Sequence, residues 1–266
     1  MSAPVLKDIW PGQSVELLKA LHILTNNGGL NADSRRKLKQ VQHLAQLIKP
    51  AIDAVLKEKD QPVLADLGAG KSYLGFILYD LYFGPAGRGR VVAVETRPEL
   101  IAAAKKIAAA GNFPRMDFVA AKIADTELGL VDIVTALHAC DTATDEAILF
   151  ALKHQAKYVA LVPCCQAEVA QQLEEMKGSL AQLWRHPIQR REFGAHLTNV
   201  LRGLFLEAQG YKVRVTELTG LEHSLKNEFI FAERHQRANP RAKAEFDKLV
   251  KETGVAPKLL VDALAS

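Results

Sequence analysis

Apolar residues follow two alternating spacings along this chain. Short apolar runs of strand length recur at 63–66, 91–94, 116–120, 130–137 and 158–162. Between them the apolar positions fall three or four apart, as in Leu74, Phe76, Ile77, Leu78 and Leu81, or Ile148, Leu149 and Leu152. The first spacing suits buried strands and the second suits amphipathic helices. Their alternation predicts βαβ units and a parallel sheet, an α/β fold. A helix over 192–209, apolar at Leu197, Val200, Leu201, Leu204 and Phe205, precedes two more strand patterns at 211–218 and 228–232.

The first sixty residues are helical in pattern. Ser14 is placed to cap a helix through Leu17, Leu18, Leu21 and Leu24, and Asn26-Asn27-Gly28-Gly29 ends it. A second helix starts near Asp33 or Ser34, with Leu38, Val41, Leu44, Ala45 and Ile48 as its apolar stripe. Pro50 is expected to interrupt it, with a further helix over 51–59. The tail from Asn239 is again helical. The expected organisation is an N-terminal helical cap at 1–60, an α/β domain at 61–235 and a helical appendage at 236–266.

The chemistry concentrates where strands turn into helices. Asp66-Leu67-Gly68-Ala69-Gly70-Lys71-Ser72 closes the first strand run. Three readings compete for this loop. A phosphate-binding P-loop would use Gly70-Lys71-Ser72, but Ala65 stands where its first glycine belongs. A dinucleotide fingerprint would use Gly68 and Gly70, but Tyr73 replaces its third glycine. The third pattern, D-x-G-x-G, is matched by Asp66, Gly68 and Gly70 without a gap, and it resembles the nucleoside loop of class I S-adenosylmethionine methyltransferases. Glu95 ends the second strand run, about the distance onward at which an acid holds ribose hydroxyls. It also has a plain reading, as an acid ahead of the helix that starts near Pro98. The segment after the third strand, Lys122-Ile123-Ala124-Asp125, lies where such folds place residues beside a base.

The fourth and fifth runs end in His138-Ala139-Cys140-Asp141 and Pro163-Cys164-Cys165-Gln166. In a doubly wound sheet ligands bind outside the carboxyl ends of the strands. His138, Cys140, Asp141, Cys164 and Cys165 are therefore expected to converge beside the loop. Asp141 could instead cap the helix that follows it. A zinc site from His138, Cys140 and one of the paired cysteines is a further alternative, although finger-type spacing is absent.

Composition narrows the picture a little. The 266 residues are 48% hydrophobic and 24% charged, an ordinary globular mix, with a net charge of +4. Three cysteines, two of them adjacent, suit a reducing compartment rather than a disulfide framework. With no signal pattern and no apolar run of membrane length, a soluble cytoplasmic protein is expected. Basic residues gather at Arg35, Arg36, Lys37 and Lys39, and again at Arg185, His186, Arg190, Arg191, His196 and Arg202. The first group reads as a solvated face, or as a phosphate-facing surface or a lid over the cofactor; the second reads as a solvated surface or a track for phosphates.

The strand-tip segments carry a more specific likeness. Leu137-His138-Ala139-Cys140-Asp141-Thr142-Ala143-Thr144-Asp145, followed by Pro163-Cys164-Cys165-Gln166, resembles the methyltransferase domain of eukaryotic tRNA ribose 2′-O-methyltransferases. That domain is shared by glutathione S-transferase C-terminal domain-containing proteins. There an H-x-C-G-x-A-T-D segment precedes a C-C-H segment; here Asp141 replaces the glycine and Gln166 the histidine. Glu222-His223-Ser224-Leu225-Lys226-Asn227 is similar to an E-H-[ST]-P-K-N segment of bacterial relatives. The resemblance spans roughly residues 39–232 and implies a Rossmann-like seven-stranded class I methyltransferase sandwich whose last two strands run antiparallel. It implies S-adenosylmethionine as cofactor, bound by Asp66, Gly68 and Gly70 with Glu95 on its ribose; Ala69, Lys71, Ile123, Ala124 and Leu137, beside these or at the neighbouring strand tips, are expected to complete the cofactor set. It places His138, Cys140, Asp141, Cys164 and Cys165 around the acceptor pocket; a hydroxyl acceptor needs its proton removed, and His138, which titrates near neutrality when unperturbed, is the candidate base, with Asp141 orienting it. A methyl-carrying cysteine is the runner-up mechanism, and no metal is expected. RNA is the expected acceptor, met by Lys39, Arg190 and Arg191. A small molecule, a protein side chain, or a cofactor-binding module without turnover are the alternatives.

Overall fold

The computed structural model describes residues 8–137, 139, 141–163, 167–218, 228–235 and 237–265. Helix α1 (Val15–Ala20) is capped by the Ser14 hydroxyl, and α2 (Ala32–Glu58) by the Asn31 side chain. Strand β1 (Val63–Leu67) leads into α3 (Tyr73–Leu78), which continues through a π turn at Tyr79–Phe83. Then come β2 (Arg90–Glu95), α4 (Pro98–Ala110), β3 (Met116–Ala120) and a 3₁₀ turn at Ile123–Asp125. They are followed by β4 (Ile133–Leu137), α5 (Thr142–Lys153), β5 (Tyr158–Val162) and α6 (Glu168–Glu175). A 3₁₀ turn at Ser179–Trp184 precedes α7 (Pro187–Ala208), β6 (Tyr211–Glu217) and β7 (Glu228–Arg234). Helices α8 (Pro240–Thr253) and α9 (Lys258–Ala265) close the chain.

The strands form one seven-stranded sheet in the order β3-β2-β1-β4-β5-β7-β6. The first five strands are mutually parallel, and β7 runs antiparallel to both β5 and β6. The strands β1, β2, β4 and β5 are buried along nearly their whole length, as parallel strands covered on both faces must be. One apolar cluster joins α1 to α4 to one face of the sheet, through Leu44, Ile52, Phe76 and Ala104 among others. A second joins α5 to α9 to the other face, through Ile148, Leu173, Phe205, Phe246 and Leu260. The N-terminal helices thus share a core with β1 and α3, and the C-terminal helices share one with α5 and α7.

Two sequence expectations change. Pro50 does not divide the second helix: α2 runs unbroken for 27 residues, with the proline on its exposed side. The basic helix begins at Pro187, five residues before the apolar pattern announces it, because proline suits the first helical turn. Among the described residues no helix is long and apolar enough to cross a membrane.

Candidate functional site

The strand order reverses between β1 and β4, and the loops at that edge form the site. Gly68 and Gly70 take φ of +62° and +58°, the left-handed region that glycine enters freely. A Cβ on Gly68 would lie at ordinary contact distance, 3.6 Å, from the Ala139 Cβ, so it is the backbone angle rather than the space that favours glycine there. The loop is stitched to β2: Ala69 N–H donates to the Val94 carbonyl at 3.0 Å, and Gly70 N–H to Glu95 Oε2 at 2.8 Å. Lys71 is exposed.

Asp66 lies at the end of β1, 1% exposed. Its Oδ1 accepts from the Thr135 hydroxyl at 2.9 Å and its Oδ2 from the Gly75 N–H at 3.2 Å. Burial pushes the carboxyl up to about 6, against the downward pull of those two hydrogen bonds. Gly75 belongs to the first turn of α3, so the protein's own acid takes the helix amide that a P-loop would offer to phosphate. A Cβ there would lie 2.7 Å from Ser72 Oγ and 3.1 Å from Asp66 Oδ2, so a side chain would displace both groups.

Glu95 is 6% exposed at the tip of β2. Its Oε1 accepts from the Thr96 hydroxyl at 3.1 Å and from Arg97 N–H and Nε at 3.2 and 2.9 Å. Its Oε2 accepts from Gly70 N–H and, at 3.2 Å, from Arg97 Nη2. Burial pushes this carboxyl up, but the Arg97 and Gly70 hydrogen bonds outweigh it and hold the group at about 2. The Arg97 side chain is 58% exposed, so its guanidinium can leave while the Gly70 bond stays. A bare glycine turn beside an ionised carboxylate fits an adenosyl ribose, whose two hydroxyls need an acceptor.

Leu137, the last residue of β4, lines a cavity of about 190 Å³ with Tyr73 and with Ile23, Lys37, Gln40 and Val41. Helix α2 descends to the start of β1, and at 1.5 Å per residue it is about 40 Å long against ~17 Å for a five-residue strand. Its first turns therefore overhang the strand tips, which is how Lys37 and Gln40 reach Leu137. Ile123 and Ala124 line a different cavity of about 250 Å³, against Glu146, Phe150 and Leu259.

The capping alternative for Asp141 does not hold. This residue occupies the N-cap position of α5 but makes no side-chain cap there. Its Oδ1 instead accepts from Ala167 N–H at 3.0 Å and Glu168 N–H at 3.2 Å, at the start of α6. His138, Cys140, Cys164, Cys165, Gln166 and the 222–227 segment lie outside the described residues, and the zinc alternative rests on the first four of them. Among the described residues no group of three His, Cys, Asp or Glu side chains is placed to hold a metal.

The second basic group divides. Lys39 of the first group and Arg191 are exposed, while Arg190 pairs with Glu174 at 3.1 Å. Arg202 is not surface at all: it is fully buried. Its Nε and Nη2 meet Asp145 Oδ1 and Oδ2 at 2.6 and 3.1 Å, Nη1 donates to Asn199 Oδ1 at 3.2 Å, and Nη2 also reaches the Asp141 carbonyl at 2.9 Å. The signal was its place on the buried stripe Gly194, Thr198, Arg202, Leu206. Thr135 and Arg97 were likewise missed, since only the fold brings the first to Asp66 and only the tip geometry brings the second to Glu95.

Residues 36–172 match the model of a methyltransferase domain. No protein of curated function matches the sequence. Among solved structures, the S-adenosylhomocysteine-bound methyltransferase PaMTH1 of Podospora anserina is similar at 12% identity and TM-score 0.51, over 88% of this chain and 93% of that one. Magnesium protoporphyrin IX methyltransferase (ChlM) of Synechocystis is similar at 12% identity and TM-score 0.47, over 83% and 93%. An rRNA methylase of Streptococcus thermophilus is similar at 10% identity and TM-score 0.46, over 74% and 94%. At 12% identity the likeness to PaMTH1 is one of fold alone.

Proposed function

The chain belongs to the methyltransferase-domain family, a Rossmann-like and S-adenosylmethionine-dependent one, and from that premise we propose that it methylates RNA. The bound cofactor supplies a methyl group on an electrophilic sulfonium. Gly68, Ala69, Gly70 and Lys71 give it a backbone cradle, with Asp66 holding that loop to α3 and β4. Glu95 accepts from the ribose hydroxyls once Arg97 moves aside, and Ile123, Ala124 and Leu137 complete the cofactor set. Methyl transfer needs donor and acceptor held in line, so positioning supplies most of the rate. A hydroxyl acceptor must also lose a proton. His138, next in sequence after the last residue of β4, is the base, with Cys164 and Cys165 bordering the acceptor.

One observation supports RNA most. Both basic stretches begin at the strand-tip edge. Lys37 and Lys39 lie in the overhanging turns of α2. Exposed Arg191, next to the Glu174-paired Arg190, lies in the first turns of α7, which descends from that edge to the start of β6. Two cationic flanks beside one active edge suit a phosphate backbone.

The test is transfer of labelled methyl from S-adenosylmethionine to separate RNA, protein and metabolite pools. Label is expected in RNA. Lys39→Ala and Arg191→Ala should each weaken RNA binding and lower the salt slope by about 1, leaving S-adenosylhomocysteine affinity unchanged. Label confined to protein or metabolites would overturn the RNA assignment.

A further inference from the structure

Asp141 holds an unusual backbone. Its φ of +51° and ψ of −122° lie in a region that favours glycine. A non-glycine residue stays there only when its surroundings hold it, and such outliers gather at functional sites. Here the surroundings are explicit. The Asp141 carbonyl accepts from Thr144 N–H at 3.2 Å and from Arg202 Nη2 at 2.9 Å. The Thr144 hydroxyl donates to the Ala139 carbonyl at 2.7 Å, fixing the same turn from inside. The Asp141 carboxylate reaches across to the first amides of α6, just past the end of β5. One residue thus ties the loop after β4 to the loop after β5.

Arg202 anchors that tie in the core. It is buried with Asp145, its partner, and both would be costly to leave unpaired. Through Asn199, whose Nδ2 donates to Glu228 Oε2 at 2.6 Å, the network also reaches the first residue of β7. Segments leaving β4, β5 and entering β7 are therefore joined through α7.

We propose that Asp141 and Arg202 are positioning residues that hold the β4 and β5 tip loops in register for methyl transfer. Asp141 acts by accepting hydrogen bonds from Ala167 and Glu168 rather than by lending charge to a base. The assignment rests on the proposed acceptor edge.

Three variants separate the possibilities. Asp141→Gly relieves the backbone and removes the link, so the fold is kept. Amide exchange at 167 and 168 should quicken at least tenfold, and kcat on RNA should fall at least thirtyfold, with S-adenosylhomocysteine affinity within twofold. Asp141→Asn keeps an acceptor oxygen without the charge, and should recover most of the exchange protection and bring kcat to within about fivefold of wild type. Arg202→Met combined with Asp145→Leu replaces the pair by apolar side chains, and should keep Tm while lowering kcat at least tenfold. Unchanged exchange in Asp141→Gly, or an Asp141→Asn enzyme as slow as Asp141→Gly with an altered pH–rate profile, would overturn the proposal. A wild-type protein that methylates no RNA would overturn the substrate reading instead, and the exchange arm would still decide the link.

Discussion

Asp66 and Glu95 sit on adjacent strand tips, and their environments push them in opposite directions. Asp66 rises from 3.8 to about 6, so between those values the folded chain binds more protons than the unfolded one. Its contribution to stability is therefore greatest at low pH and falls as pH rises from about 4 to 6. A gap of about two units corresponds to ~3 kcal/mol carried against folding at pH 7. Asparagine fits the same hydrogen bonds, accepting from Gly75 and donating to the Thr135 oxygen. Asp66→Asn should then be more stable than wild type at pH 7, by up to about 3 kcal/mol, with the difference gone below pH 4. Denaturant unfolding across pH checks this, and a less stable variant at pH 7 would contradict it. Glu95 behaves in reverse: held at about 2, it stabilises the fold above its unfolded value of 4.5 and loses that contribution as pH falls toward 2. Both acids were legible as loop and tip residues, but their partners were not: Asp66 meets Thr135, a neighbour 69 positions away.

Among the elements, α6 and α7 pack so closely that the contact allows no side chain. A Cβ on Gly194 would lie 2.8 Å from the Ala170 Cα and 2.9 Å from its backbone nitrogen. Backbone cannot yield as a flexible side chain can, so α6 must move. Gly194→Ala should cost about 1–3 kcal/mol and disturb Ala167 and Glu168 along with α6. Thermal unfolding checks the first effect and amide exchange at 167–168 the second. Most elements were legible because β2 and β5 carry continuous apolar runs, β1 and β3 are each broken by a single aspartate, and their helices have clear stripes. The errors have local causes. Leu130 looks like strand but is 64% exposed, and Val131 N–H turns to the His154 carbonyl before β4 begins. Pro50 looks like a break but faces solvent, where the lost hydrogen bond leaves no buried carbonyl stranded.

At the scale of the molecule, the sheet order places the glycine turn, Glu95, Leu137 and Asp141 along one edge, with the first turns of α2 overhanging it. The edge was legible because strand tips in an α/β sheet follow from chain order alone. The Arg202 network was not, since a buried arginine in a basic stretch reads as surface until its helix face is known. The central claim is that this edge binds S-adenosylmethionine through the glycine turn and Glu95. Calorimetric titration with S-adenosylhomocysteine, with ATP–magnesium as control, tests it on wild type and Glu95→Gln. Saturable S-adenosylhomocysteine binding that weakens about 10- to 100-fold in the variant, the worth of hydrogen bonds to a charged group, is the expected result. Binding of ATP–magnesium in its place, or S-adenosylhomocysteine affinity indifferent to Glu95→Gln, would contradict the account.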